Sequence, residues 1–317
     1  MRRFVTGALA EPPYPARVNE RAGAVGQRSA EWAMELGLVS TSDAAQRLDR
    51  ANAGDLAGRA CPDAGPEQLA LLTDLITWLF SFDDSCDDDG LGADPGRLAP
   101  VVARLLQVLE RLGGPVPAEL LDATGPTGTA LHDLCRRVRD QHRPVLLLRF
   151  TRQVREYLLA LLWEAANRKH HRVPGISEYV QYRRHTGAVY PSFTLTDIGH
   201  GAEPDAPRLA DPRLSELEAL AADLVCWCND VFSYDKERRL ETDGHNLVLT
   251  IAREAGQDEY AALAEAVRRF NTALAAYDRL ETAVLAEGDP DVTRFAAARR
   301  CWIRGTYDWS LGASRYQ

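Results

Sequence analysis

Residues 211–237 read DPRLSELEALAADLVCWCNDVFSYDKE, and their spacing decides the fold class. Asp211-Pro212 has the form of an N-cap followed by proline at the first helical position, where a missing N–H costs nothing. Leu214, Leu217, Leu220, Leu224, Val225 and Phe232 then recur at the intervals of one helical face. The period repeats outward along the chain. From Pro66, apolar residues stand at Leu69, Leu72, Leu75, Ile76, Leu79 and Phe80 and stop at an acidic run beginning at Asp83. Val101–Leu112, Phe150–Ala166 and the tracts 246–255, 258–286 and 291–313 carry the same pattern. Breakers fall between them, at Gly90–Pro95, Gly113–Pro117, Pro174-Gly175 and Glu203–Pro212. Sustained alternation of period two and Asn-Gly hairpin pairs are absent. The expected fold is all-α, with about ten helices. Residues 1–18, which carry Pro12, Pro13 and Pro15 without periodicity, form an irregular arm, and 19–317 form a single α-helical domain.

Composition narrows the function. Of the 317 residues, 45% are apolar and 26% charged, enough to bury a large core. A net charge of −9 argues against nucleic acid, which calls for a basic stripe. No apolar run approaches the roughly 20 residues that span a bilayer. Polar, proline-containing sequence follows Met1-Arg-Arg-Phe-Val where a signal peptide would place an apolar stretch, so a cytoplasmic protein is expected. Cys61, Cys86, Cys135, Cys226, Cys228 and Cys301 show no zinc spacing. Cys226 and Cys228 would point to different faces of a helix, so free thiols are expected.

Two clusters can carry chemistry. The first is Asp83-Asp84-Ser85-Cys86-Asp87-Asp88-Asp89. On a helix Asp83, Asp84 and Asp87 share a face. Unit charges 4 Å apart repel by roughly 4 kcal/mol at an effective dielectric of about 20. Such a run stands either in open water, as a solvated helix end, or around a hard cation such as Mg²⁺. The preceding Trp78-Leu79-Phe80-Ser81-Phe82 is too apolar for a solvent-facing helix and favours a cavity rim. The second cluster is Asn229-Asp230-Val231-Phe232-Ser233-Tyr234-Asp235-Lys236-Glu237. Asn229, Ser233 and Glu237, at i, i+4 and i+8, stack an amide oxygen, a hydroxyl and a carboxylate on one stripe. Asn and Ser gain nothing in a helix interior, so three oxygen donors beside Lys236 suit a divalent cation with an anionic ligand.

An Asp-Asp-x-x-Asp motif followed by Asn-Asp-x-x-Ser-x-x-x-Glu resembles the paired metal motifs of class I terpene synthases, in particular the bacterial single-domain enzymes. The resemblance runs from Trp32 to Tyr316. It implies a single-domain class I terpenoid synthase-like helical bundle around a central apolar cavity. It further implies that Asp83, Asp84 and Asp87 serve two magnesium ions and that Asn229, Ser233 and Glu237 hold a third, with Mn²⁺ able to substitute. Arg183 stands where the family has a diphosphate-sensing arginine, and Thr186 and Gly187 where it has a linker and an effector. The family linker is often acidic, so Thr186 is a departure that touches its bond to Arg183. Lys236 and the terminal Arg315-Tyr316 match diphosphate contacts, and Trp309 matches a cavity aromatic. Phe80 and Phe193 are further candidates to line the cavity.

The resemblance implies a lyase that ionises a linear prenyl diphosphate and cyclises the carbocation to a terpene hydrocarbon or alcohol. Chain length and motif form favour farnesyl diphosphate, with geranylgeranyl diphosphate the alternative. A chain-elongating prenyl diphosphate synthase would carry a second Asp-Asp-x-x-Asp motif in place of the Asn/Ser/Glu stripe. A non-catalytic helical binding protein would have no use for Arg183 and Arg315-Tyr316. The substrate is the one partner expected, in a monomer or homodimer.

Overall fold

The computed structural model describes residues 8–87, 90–239 and 245–312. Among these residues are fourteen α-helices, one 3-10 turn (Leu91–Ala93) and no strand. In chain order the helices are α1 (Ala22–Glu35), α2 (Ser42–Ala51), α3 (Ala53–Ala60), α4 (Pro66–Asp87), α5 (Pro95–Leu109), α6 (Ala118–Arg139) and α7 (Pro144–Lys169). There follow α8 (Ile176–Thr186), α9 (Val189–His200), α10 (Ala206–Leu209), α11 (Pro212–Arg239), α12 (Leu247–Ala255), α13 (Glu259–Leu285) and α14 (Pro290–Gly312). The all-α expectation is met.

The helices beyond the expected ten come from breaks that periodicity does not register. Asn52, at φ 49°, ends α2 and also caps α3, its Oδ1 accepting from Asp55 N at 3.3 Å. Asn tolerates this left-handed conformation better than other side chains. In α6 a non-helical Gly125 (φ 59°, ψ −155°) precedes Pro126, so the tract is two helical pieces joined at a kink. That Gly-Pro pair hid α6 from a reading based on spacing.

Residues 212–237 lie on α11. Asp211 Oδ1 accepts from Arg213 N at 2.9 Å, as an N-cap should, and Leu214, Leu217, Leu224, Val225 and Phe232 are buried. The helix packs chiefly on α13 and α14. Trp78 of α4 stacks on Phe82 at 5.7 Å and meets the edge of Tyr157 of α7 at 6.2 Å. Its Nε1 donates to the carbonyl of Thr127 in α6 at 3.0 Å. These contacts fix the direction in which α4 delivers its acidic end.

A buried charge network ties four helices. Arg299 of α14 is fully buried and pairs with Asp197 of α9 and Glu218 of α11. Arg149 of α7 reaches the same two acids at 2.9 and 2.5 Å. The Arg299 guanidinium carbon lies 3.6 Å from the Phe295 ring centroid. Burial of two arginines is tolerable because two carboxylates and an aromatic face replace their water. Residues 10–14 of the N-terminal segment are tied to later helices. Ala10 N donates to Asn271 Oδ1 at 2.8 Å, Tyr14 to Asp278, and Arg304 to the carbonyl of Pro12 at 2.9 Å. Among the described residues none of the six cysteines forms a disulfide, and no helix is long and apolar enough to cross a membrane.

Candidate active site

Asp83 and Asp84 are half-buried in the last turns of α4, which ends at Asp87. Ser81 and Ser85 donate back to the carbonyls of Thr77 and Ser81, at 2.9 and 3.1 Å, and so stay within the helix. The last turn has no basic residue. Carboxylates at the negative end of a helix dipole are unfavourable unless a cation meets them. Arg47 of α2 supplies one, its Nε 3.2 Å from Asp84 Oδ2. The side chain of Asp87, like Asp88 and Asp89, lies outside the described residues.

The second cluster occupies the C-terminal part of α11. Asn229 and Glu237 are half-buried and Ser233 is buried, on successive turns. The Ser233 hydroxyl hydrogen-bonds the Glu237 carboxyl, which also accepts from Asn246 Nδ2 at 2.9 Å. Burial, and then the negative charge of Asp230, raise the Glu237 carboxyl above the usual carboxylate range. A hard cation on this stripe would relieve both effects, and all three donors are the oxygens such a cation takes. Among the described residues no three His, Cys, Asp or Glu side chains converge on one point. A metal held on this stripe would need the neutral oxygens of Asn229 and Ser233 as well.

Arg183 meets this stripe from α8. Its Nη2 donates to Asn229 Oδ1 and its Nε to Asp230 Oδ1, both at 2.9 Å. The other Asp230 oxygen accepts from the Tyr179 hydroxyl at 2.6 Å and from Leu247 N at 3.3 Å. Arg184 is occupied elsewhere, paired through two bonds of 2.7 Å with Asp223. The adjacent arginines thus divide between the motif and a structural pair. The chain breaks between α8 and α9, where Ala188 adopts φ 50°. Gly187 lies at this break in a tight space, since a Cβ would stand 2.9 Å from Cys226 Sγ and 3.1 Å from both Nη1 and the carbonyl oxygen of Arg183, so those neighbours would have to shift. Thr186 Oγ1 is buried and has no hydrogen-bond partner among the described residues. Asp230, not residue 186, is the acid that holds Arg183.

The family model for terpene synthase family 2, C-terminal metal binding, matches residues 74–276. The chain belongs to the class I terpene synthases. A (+)-T-muurolol synthase ((2E,6E)-farnesyl diphosphate cyclizing) of Roseiflexus castenholzii is 34% identical to it over 307 residues, covering 96% of this chain and 92% of that protein. A (+)-(1(10)E,4E,6S,7R)-germacradien-6-ol synthase of Streptomyces pratensis is 31% identical over 306 residues, 96% of this chain and 84% of that protein. The solved structure of wild-type cucumene synthase superposes with a TM-score of 0.81 at 27% identity, covering 96% of this chain and all of that one. The terpene synthase is accordingly a lyase that uses a divalent metal.

In this terpene synthase, α14 carries rings to both motif-bearing helices. Trp309 stacks on Phe80 of α4 at 6.3 Å, with its Nε1 bonded to the carbonyl of Ala51 at 3.2 Å. Tyr307 meets the edge of Phe232 of α11 at 6.3 Å. Phe193 is fully buried, 6.0 Å from the Trp302 ring and 4.9 Å from the Arg299 guanidinium carbon. Lys236 is exposed beside Glu237, and Arg315 and Tyr316 lie outside the described residues. Sequence reading passed over Tyr179, Asp230, Asn246 and Arg47. Of these, Asp230 carried a signal in its place inside the motif, and Asn246 in a stretch, His245-Asn246-Leu247-Val248, that resembles family sequence without implying a chemical role.

Proposed function

We propose that this terpene synthase binds farnesyl diphosphate with Mg²⁺, releases inorganic diphosphate and cyclises the farnesyl cation to a sesquiterpene hydrocarbon or alcohol. One observation carries the reading: Asn229, Ser233 and Glu237 stack on one face of α11 with Arg183 bonded to the first of them. Three ions are held, two by Asp83, Asp84 and Asp87 and one by the Asn229, Ser233 and Glu237 stripe. Bound magnesium supplies positive charge against the negative charge that develops on the departing diphosphate. Arg183, Lys236, Arg315 and Tyr316 bind the diphosphate oxygens. Thr186 and Gly187 take the linker and effector places at the helix break, where Gly187 packs close against Arg183 and Asp230 holds the guanidinium. Phe80, Trp309 and Phe193 form apolar walls that keep water from the cation, and their ring faces attract it. Farnesyl diphosphate is supported by the relatives, one of which is named for cyclising it.

The test is incubation with geranyl, farnesyl and geranylgeranyl diphosphates, each with Mg²⁺, with Mn²⁺ and with EDTA, followed by gas chromatography–mass spectrometry. Cyclic C15 products that disappear with EDTA are expected. Cyclic C20 products from geranylgeranyl diphosphate alone would replace the substrate. No terpene from any of the three would end the reading.

A further inference from the structure

We infer that Asn246 is a positioning residue that holds Glu237 in its metal-facing orientation. The inference rests on the assignment of Glu237 as a magnesium ligand. Asn246 is fully buried and precedes α12 in extended backbone. Its amide is used at both ends. Nδ2 donates to the carbonyl of Asp230 at 2.8 Å and to Glu237 Oε2 at 2.9 Å, while Oδ1 accepts from Val248 N at 2.9 Å. The last bond caps α12 and is an ordinary helix start. The first two have no part in capping. They join the start of α12 to two turns of α11 and fix one oxygen of the carboxylate.

A carboxylate on a three-bond side chain has rotamer freedom that metal binding must remove. Ser233 and Asn246 hold Glu237 from its own helix and from the next one. Groups that orient a ligand from outside the coordination sphere typically contribute about 10- to 100-fold in metal affinity. The same Asn246 amide supports the carbonyl of Asp230, whose side chain holds Arg183, so one residue steadies the metal stripe and the acid behind the arginine.

Capping and gripping can be separated. Ser is about as good a helix cap as Asn, but its side chain is too short to reach Glu237 as well. Asn246→Ser is therefore expected to keep the metal-free melting temperature within a few degrees. The Mg²⁺ concentration that half-saturates stabilisation by inorganic diphosphate should rise by at least about tenfold. Both quantities are read by thermal melting with Mg²⁺ titrated at fixed inorganic diphosphate, and calorimetric titration supplies the affinity. Turnover of farnesyl diphosphate should recover at high Mg²⁺. Asn246→Asp keeps the cap and sets a second acid against Glu237, so it should need still more Mg²⁺. If Asn246→Ser and Asn246→Asp both match the wild-type Mg²⁺ response, Asn246 is only a cap and the inference fails. If the wild-type protein shows no Mg²⁺-dependent response to diphosphate, the assignment of Glu237 fails instead, and the inference falls with it.

Discussion

The Arg183 guanidinium lies against the carboxylate of Asp230, the residue next to Asn229, with Nε and Oδ1 2.9 Å apart and Asp230 almost wholly buried. Tyr179 and Leu247 N hold the other oxygen, so the acid is fixed from α8, α11 and the start of α12 together. Burying an arginine charge is tolerable while this acid is present. Removal of one partner of a buried pair typically costs about 3–5 kcal/mol. Asp230→Ala should lose stability of that order in urea denaturation. Tyr179→Phe, which removes one bond and leaves the charge pair, should lose about 1 kcal/mol. Equal losses from the two would mean that the ion pair is not what holds Arg183.

Gly187 has ordinary helical φ (−73°), so a side chain there is opposed by space and not by backbone strain. The first obstacle is Cys226 Sγ, at 2.9 Å from a built Cβ, and the next is Arg183. Gly187→Ala should cost about 1–3 kcal/mol as overpacking and displace the guanidinium. Cys226→Ala removes the thiol, so the Gly187→Ala/Cys226→Ala pair should recover part of the stability lost by the single change. A double variant no more stable than the sum of the singles would show that the two positions are not in steric contact.

The helices that carry chemistry were legible because their apolar period and their oxygen donors follow the same spacing. Ser233 sits four residues after Asn229 whether one is reading a face or a ligand set. What escaped were contacts between distant segments. Nothing near Asn246 in sequence indicates that its amide meets Glu237, since α11 and α12 must first fold against each other. Arg47 and Asp84, Tyr179 and Asp230, and Arg299 and Asp197 are likewise long-range pairs. The left-handed backbone at Ala188 was not visible either, because alanine gives no sign of it. The fully buried Arg299 runs against composition-based expectation, which keeps arginine at the surface.

The buried network around Arg299 makes a signed pH prediction. Burial pushes the Glu218 carboxyl upward, but the charges of Arg149 and Arg299 outweigh it and hold the group below the usual carboxylate range. A carboxyl depressed in the folded state binds protons more readily when unfolded. Its stabilisation is complete above the unfolded value of about 4.3 and is lost as pH falls through the folded value. Glu218→Gln should therefore lower stability at pH 7, and its difference from wild type should shrink as the solution is acidified below about pH 4.3. Urea midpoints measured from pH 7 to pH 3 check this. A difference independent of pH would remove Glu218 ionisation as the cause.

Trp309 and Phe80 offer the last test, because the Trp309 ring is anchored and the Phe80 ring leans on it. Trp309 Nε1 is bonded to the carbonyl of Ala51, and the two rings stack at 6.3 Å with 13° between their planes. Trp309→Phe removes the anchor while keeping a ring face, and Phe80→Leu removes a ring face while leaving the anchor. A desolvated cation–π contact is worth about 2 kcal/mol, which corresponds to about a thirtyfold change in rate. Phe80→Leu should slow turnover by up to that factor and shift the product mixture toward cations quenched early. Trp309→Phe should change the mixture with a smaller effect on rate, since a face remains but its orientation is no longer fixed. Product ratios by gas chromatography–mass spectrometry, alongside diphosphate release, separate the two. If both variants give wild-type ratios, neither ring contacts the reacting cation and their stacking serves only to join α4 to α14.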